Sequence, residues 1–245
     1  MARGDLLSAG MGVWLARAAL TVALLGAPIA AHAVEPVRRI AIYVQPFYQA
    51  ANTPGEAPRV AVGQRFDTLL ASPRREDILA ARDMIAADPK VVTPMTLMVL
   101  AIRLYDVGMR DEAVFWFYAA KDRFITFAEV VDTNAQVLMQ VDEAMRSFSA
   151  IAGPVINGYA FCDLANQKAL RAKALAWVEA NPYAATFMSQ LPARTNDRQA
   201  GLSRAVRNAK AGAAKEAAYF DDPKNTETFF ATRRKNEADA KYCWK

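Results

Sequence analysis

The chain has 245 residues, with 30 Lys and Arg against 25 Asp and Glu, a formal net charge of +5, one histidine and two cysteines. The histidine, His32, lies beside the end of a predicted export signal. The processed chain then carries none, which excludes imidazole-dependent acid-base catalysis, Ser-His and Cys-His triads and most zinc sites. A mildly basic balance, without a concentrated basic face and stacking aromatics, argues against a nucleic-acid partner.

Arg17 precedes an apolar stretch from Ala18 to Ala31, interrupted by Thr21, Gly26 and Pro28, and Ala31-His32-Ala33 comes next as a small-residue exit. This is the layout of a secretory signal over residues 1–33, with cleavage after Ala33. The alternative is an uncleaved anchor, for which the run is shorter than the roughly 20 apolar residues a membrane-spanning helix needs. The lead before Arg17 is long and carries Asp5; a start at Met11 would give a more compact signal. With no cysteine near the exit, no lipoprotein anchor is expected, nor any stable membrane anchor. Processing removes Arg3, Arg17 and Asp5, leaving 212 residues with net charge +4. The periplasm is the expected compartment, with the outside medium as the alternative.

The stretch from Val34 to Pro58 differs in pattern from the rest of the processed chain. Ile40, Ile42 and Val44 alternate with Ala41 and Tyr43, a strand period, and Asn52-Thr53-Pro54-Gly55 supplies a turn. Val60-Ala61-Val62 is a second short run able to pair with the first, so residues 34–63 read as an extended arm or small hairpin. A lone hairpin is marginal in water. The arm either leans on its own helices or adds as a strand to another chain.

From Gln64 onward the signals are helical, and residues 64–245 read as one helical domain. Ser72-Pro73 followed by Glu76 and Asp77 starts a helix that runs to about Ala87. Thr93-Pro94 starts the second, ended by Gly108; the third spans Asp111 to Phe127. The fourth runs from Thr133 to Ala152, closed by Gly153-Pro154, and the fifth from Val155 to Ala180, ended by Asn181-Pro182. Thr195-Asn196-Asp197 caps the sixth, which stops at Asp221-Asp222-Pro223, and a last helix starts at Thr226. The short loops predict an all-α fold, an antiparallel array or bundle of about seven helices.

Between Pro94 and Phe127 the chain resembles a tetratricopeptide repeat. Leu97, Leu100, Ala101 and Leu104 take the first-helix positions, Gly108 the turn, and Ala113, Phe117 and Ala120 the small, aromatic, small pattern of the second helix; Ile125 stands in place of the usual closing proline. The resemblance implies a helical hairpin that binds proteins or peptides. Its concave face would carry Met95, Met98, Ile102 and Tyr105, an adaptable methionine-rich surface; the competing reading buries this nearly all-apolar helix at the centre of a bundle. Phe115, Trp116, Phe117 and Tyr118 radiate around the next helix. Three are expected to be buried and one to stand at an edge, with Trp116 and Tyr118 as candidate partner anchors.

Cys162 and Cys243 are expected to pair in an oxidising compartment, a covalent dimer or free thiols being the alternatives. Closing a loop of about 80 residues would stabilise by roughly 4 to 5 kcal/mol in the chain-entropy model. Asn157 to Asp163 is an unusual string whose Gly158 suits close helix packing beside that bond. In the sixth helix Leu202, Val206, Ala209, Ala213, Ala217 and Phe220 form one stripe, with Arg204, Arg207 and Lys215 on a solvated face. Asp221-Asp222 reads as a helix stop.

The sequence contains no G-x-S-x-G, S-x-x-K, Walker A, G-x-G-x-x-G or calcium-loop pattern, so no catalytic residue, cofactor or metal is expected. The functional expectation is a non-enzymatic protein-binding module of the cell envelope, an inhibitor or immunity protein or an assembly factor, whose partner is another protein. The competing class is a carboxylate-dependent envelope hydrolase, which needs two acids converging on a cleft.

Overall fold

The computed structural model describes residues 34–40, 42–45, 59–136 and 138–244. The expected export signal, the expected turn at Asn52 to Gly55 and most of the arm's far half lie outside them. In chain order the elements are β1 (Tyr43–Gln45), β2 (Arg59–Ala61), α1 (Asp67–Ala71), α2 (Arg75–Ala87), α3 (Pro94–Asp106), α4 (Arg110–Val130), α5 (Met139–Ala160), α6 (Leu164–Ala180), α7 (Arg198–Asp221), α8 (Pro223–Lys235) and α9 (Ala238–Tyr242). The fold is an all-α bundle with one short strand pair.

That pair is parallel, with Tyr43 opposite Arg59 and Gln45 opposite Ala61, which corrects the hairpin expectation. Residues 46–58 are a connection of the length that a parallel crossover needs. The alternation is nonetheless as expected: Ile40 and Ile42 are buried in the core and Val44 packs on it. The arm leans on its own helices. Ile40 N donates to Asp106 Oδ1 at 2.8 Å, and Tyr105 Oη donates to the Val37 carbonyl at 2.9 Å.

Local cues place most helix starts. Thr93 caps α3 by accepting from Thr96 N, with Pro94 at the first helical position, and Asp197 and Asp222 likewise cap α7 and α8. Gly108 makes the α3–α4 turn at φ 83°, a left-handed conformation suited to glycine. Three boundaries differ from expectation: α5 starts at Met139 and not Thr133, α8 starts at Pro223 and not Thr226, and the break between α5 and α6 is displaced. α5 runs through Gly153 and Pro154 to Ala160, and the break falls at residues 161–163, where Asp163 caps α6 by accepting from Asn166 N. Proline removes one backbone hydrogen bond, and here the packing of Ala152, Gly153 and Ile156 against the core outweighs that loss.

α3 and α4 form the centre. α3 is buried from Thr96 to Ile102 without a gap. α4 packs against α3, α5, α6 and α7, so all four of its consecutive aromatics are buried, not three of them. From Ala113 to Ala120 the helix is enclosed on every side and has no edge position to leave open, whereas Ile125 further along is exposed. Cys162 and Cys243 form a disulfide that ties α9 to the end of α5. Among the described residues, no helix is long and apolar enough to cross a membrane.

Candidate functional site

The residues singled out as partner anchors are in the core. Met98, Ile102, Tyr105, Trp116 and Tyr118 are all at most 5% exposed, and Met95 is half-buried against the same cluster. The arm covers the end of α3 at Tyr105, and Trp116 packs edge-on against Trp177 of α6 at 5.1 Å. The expected concave docking face is therefore interior; a helix apolar all round is more stable enclosed than lining a groove.

An open concavity lies instead between α6 and α7. A groove of about 390 Å³ is walled by Ala172, Leu175, Ala176, Ala213, Ala217 and Phe220. The alanine seam of α7 that the sequence displays is one of its walls, while Leu202 and Val206 of the same stripe pack on Val130 of α4. Arg204, Arg207 and Lys215 are exposed, as expected of the basic face.

Polar links join the two helices around this groove. Lys168 Nζ lies 2.6 Å from Asp221 Oδ1, Lys210 Nζ 2.7 Å from Glu179, and Arg171 Nε 3.8 Å from Glu216. Asp221 therefore joins α7 to α6 while Asp222 caps α8, a finer division than the stop signal predicted.

At one end the groove meets a buried polar cluster. Asp122 of α4, 2% exposed, sits in the guanidinium fork of Arg171, with Arg171 Nη2 donating to Oδ1 at 3.0 Å and Nη1 donating to Oδ2. Gln167 Nε2 donates to Glu216 Oε1 at 2.9 Å and to Tyr118 Oη at 3.2 Å, and Tyr118 Oη donates to Asn157 Oδ1 at 3.3 Å. Burial pushes the Asp122 carboxyl above its usual range, against the pull of Arg171. It also pushes the Tyr118 phenol up to about 12.

The next residue, Arg123, is 1% exposed and has no carboxylate partner among the described residues. It donates to the carbonyls of Pro89, Val92 and Asn181 and lies 4.6 Å from the Trp177 ring centre. It fastens the ends of two connections to α4.

Sequence reasoning passed over Asp122, Arg123, Gln167, Arg171 and Glu216. One signal was present: a charged pair, Asp122-Arg123, inside an apolar helix. Their partners lie dozens of residues away and carry no local mark. Among the described residues, no three His, Cys, Asp or Glu side chains converge as a metal-binding group.

Fold and groove together define a helical-bundle protein held by one disulfide. No family model matches the chain, and no solved structure does. The chain is 35% identical over 210 residues to a protein of Haemophilus influenzae (strain ATCC 51907 / DSM 11121 / KW20 / Rd) described as an uncharacterized protein. The alignment spans 86% of this chain and 81% of the relative, and the two belong to one family.

Proposed function

We propose that this chain is an exported, non-enzymatic protein-binding module of the cell envelope, an inhibitor, immunity or assembly protein, that receives an amphipathic helix of its partner in the α6–α7 groove. One observation carries the reading: the apolar part of the groove lining is mostly alanine, with Ala172, Ala176, Ala213, Ala214 and Ala217. Side chains that end at Cβ let a third helix approach closely, while Leu175 and Phe220 offer apolar contact. Lysines and glutamates at the rim suit flanking charges of both signs. The resemblance of α3–α4 to a family that binds proteins and peptides points the same way, with docking moved from the interior α3 to the α6–α7 pair. The disulfide supports an oxidising compartment, the periplasm first and the outside medium second.

The carboxylate hydrolase is the competing reading, favoured by Asp122 and Glu216 lining one small cavity. What weighs against it is that Asp122 is 2% exposed and engaged at both oxygens by Arg171, which leaves water and substrate little access to it.

The test uses the chain from Val34 onward to capture a partner from the envelope fraction, followed by affinity measurement with the purified partner. Ala176→Glu and Ala214→Glu place charges at exposed groove positions. Loss of binding by both, with unchanged thermal stability, supports the groove. Full binding by both removes it as the docking face, and loss of envelope-polymer hydrolysis on Glu216→Gln would favour the enzyme.

A further inference from the structure

We propose that the Cys162–Cys243 bond is a thiol-disulfide exchange site whose substrate is a dithiol, and that its reduction unclasps the N-terminal arm. This does not depend on the groove reading. Both cysteines are only half-buried, and they line a cavity of about 330 Å³ together with Arg110, Asp111, Tyr159 and Trp244. A nucleophile therefore has a route to the sulfurs in the folded protein.

The buried guanidinium of Arg233 sits against the bond. Its Nη2 is 3.3 Å from Cys243 Sγ and 3.7 Å from Cys162 Sγ, and it also donates to the Gly158 carbonyl at 3.1 Å and to Asp239 Oδ1 at 2.8 Å. A cation in reach of both sulfurs stabilises a departing thiolate. Asp239 Oδ1 lies 3.4 Å from Cys243 Sγ and disfavours negative charge there. Arg233 is the nearer to Cys243 Sγ, but the Asp239 carboxylate offsets it there, so Cys162 is the better leaving thiolate. A thiolate of the dithiol attacks Cys243 Sγ, the S–S bond breaks, and Cys162 leaves as the thiolate beside Arg233. The second thiol of the reductant, deprotonated, attacks its own sulfur in the mixed disulfide and releases Cys243. The protein disulfide gains two electrons and two protons, and the dithiol becomes a disulfide.

What the bond holds gives exchange a consequence. α9 has five residues, too few to persist alone, and Glu237 before it adopts the left-handed φ of 53° that side chains disfavour. This segment clasps the arm. Val37 N donates to the Lys241 carbonyl at 2.9 Å, Trp244 Nε1 donates to the Val37 carbonyl at 3.2 Å, and the Trp244 ring lies 4.6 Å from Arg38 and 3.4 Å from Arg110. Opening the bond frees the clasp and uncovers Tyr105 and Tyr159 beneath it.

The experiment treats the folded chain from Val34 onward with dithiothreitol without denaturant, and tracks free thiols and amide hydrogen exchange by mass spectrometry. The expected result is release of both thiols, with exchange rising several-fold in residues 34–40 and 238–244 while α3, α4 and α6 stay protected. In a parallel incubation with glutathione, the first adduct is expected on Cys243. Thiols that appear only in denaturant, or protection lost everywhere at once, would mark an inert structural bond and overturn the proposal. An unchanged arm after reduction would overturn the clasp, and a first adduct on Cys162 would overturn the polarity.

Discussion

The ring of Tyr242 occupies the space that a side chain at Gly158 would need: a Cβ built there stands 2.6 Å from Cγ and Cδ2 of that ring. Glycine in this string thus serves the close approach of α9 to α5 beside the disulfide. Gly158→Ala is expected to destabilise by about 1 to 3 kcal/mol through overpacking, although alanine is the better helix former. At Gly212 of α7 a Cβ meets nothing within 4 Å, so Gly212→Ala is expected to stabilise by about 0.5 to 1 kcal/mol. Thermal unfolding of the two variants should move in opposite directions; a rise for Gly158→Ala would contradict the packing.

Arg123 concentrates three carbonyl contacts in one buried guanidinium fork. Lysine has a point charge and cannot span them. Arg123→Lys is expected to cost about 2 to 4 kcal/mol, as partners are left unsatisfied and a buried charge loses its geometry. Urea unfolding monitored through tryptophan fluorescence is a direct check, since Trp177 lies beside the guanidinium.

Removing Arg171 strands the buried Asp122 carboxylate. Arg171→Met is expected to cost about 3 kcal/mol at neutral pH. The Asp122 carboxyl is already raised by burial, so in the variant it takes a proton readily and the deficit narrows as pH falls. Adding Asp122→Leu should recover much of the loss at neutral pH. A deficit that is constant from pH 7 to 4 would show that the charge is not its cause.

Alkaline pH should weaken the fold through its tyrosines. Burial pushes the Tyr105 and Tyr118 phenols from the ordinary 10 up to about 12. Between those values the unfolded chain has lost protons that the folded chain keeps, so stability is full below pH 10 and falls as pH rises toward 12. Arg123, lowered to about 10 by burial, works in the opposite sense, one group against four, since burial raises Tyr159 and Tyr183 as well. The double change Tyr105→Phe and Tyr118→Phe is expected to flatten the fall of Tm with pH above 10, and an unchanged slope would contradict this.

Little of the candidate site was legible in advance. The alanine seam of α7 stood out as one face of a helix, but the groove exists only because α6 lies beside it. Met98 and Tyr105 looked like a docking surface because apolar periodicity marks a face without saying whether another element covers it. Here the arm and the neighbouring helices do.

The sequence by itself determined the helical class, the caps at Thr93 and Asp197, the turn at Gly108 and the pairing partners Cys162 and Cys243. Caps and turns are decided by backbone groups satisfied within a few residues, and two cysteines admit one intramolecular pairing. Tertiary structure alone decided the parallel strand pair, the passage of α5 through Pro154, the enclosure of α4 and the meeting of Asp122 with Arg171. Each depends on which surfaces lie together after burial, and residues 49 apart in the chain share no local interaction that could record it.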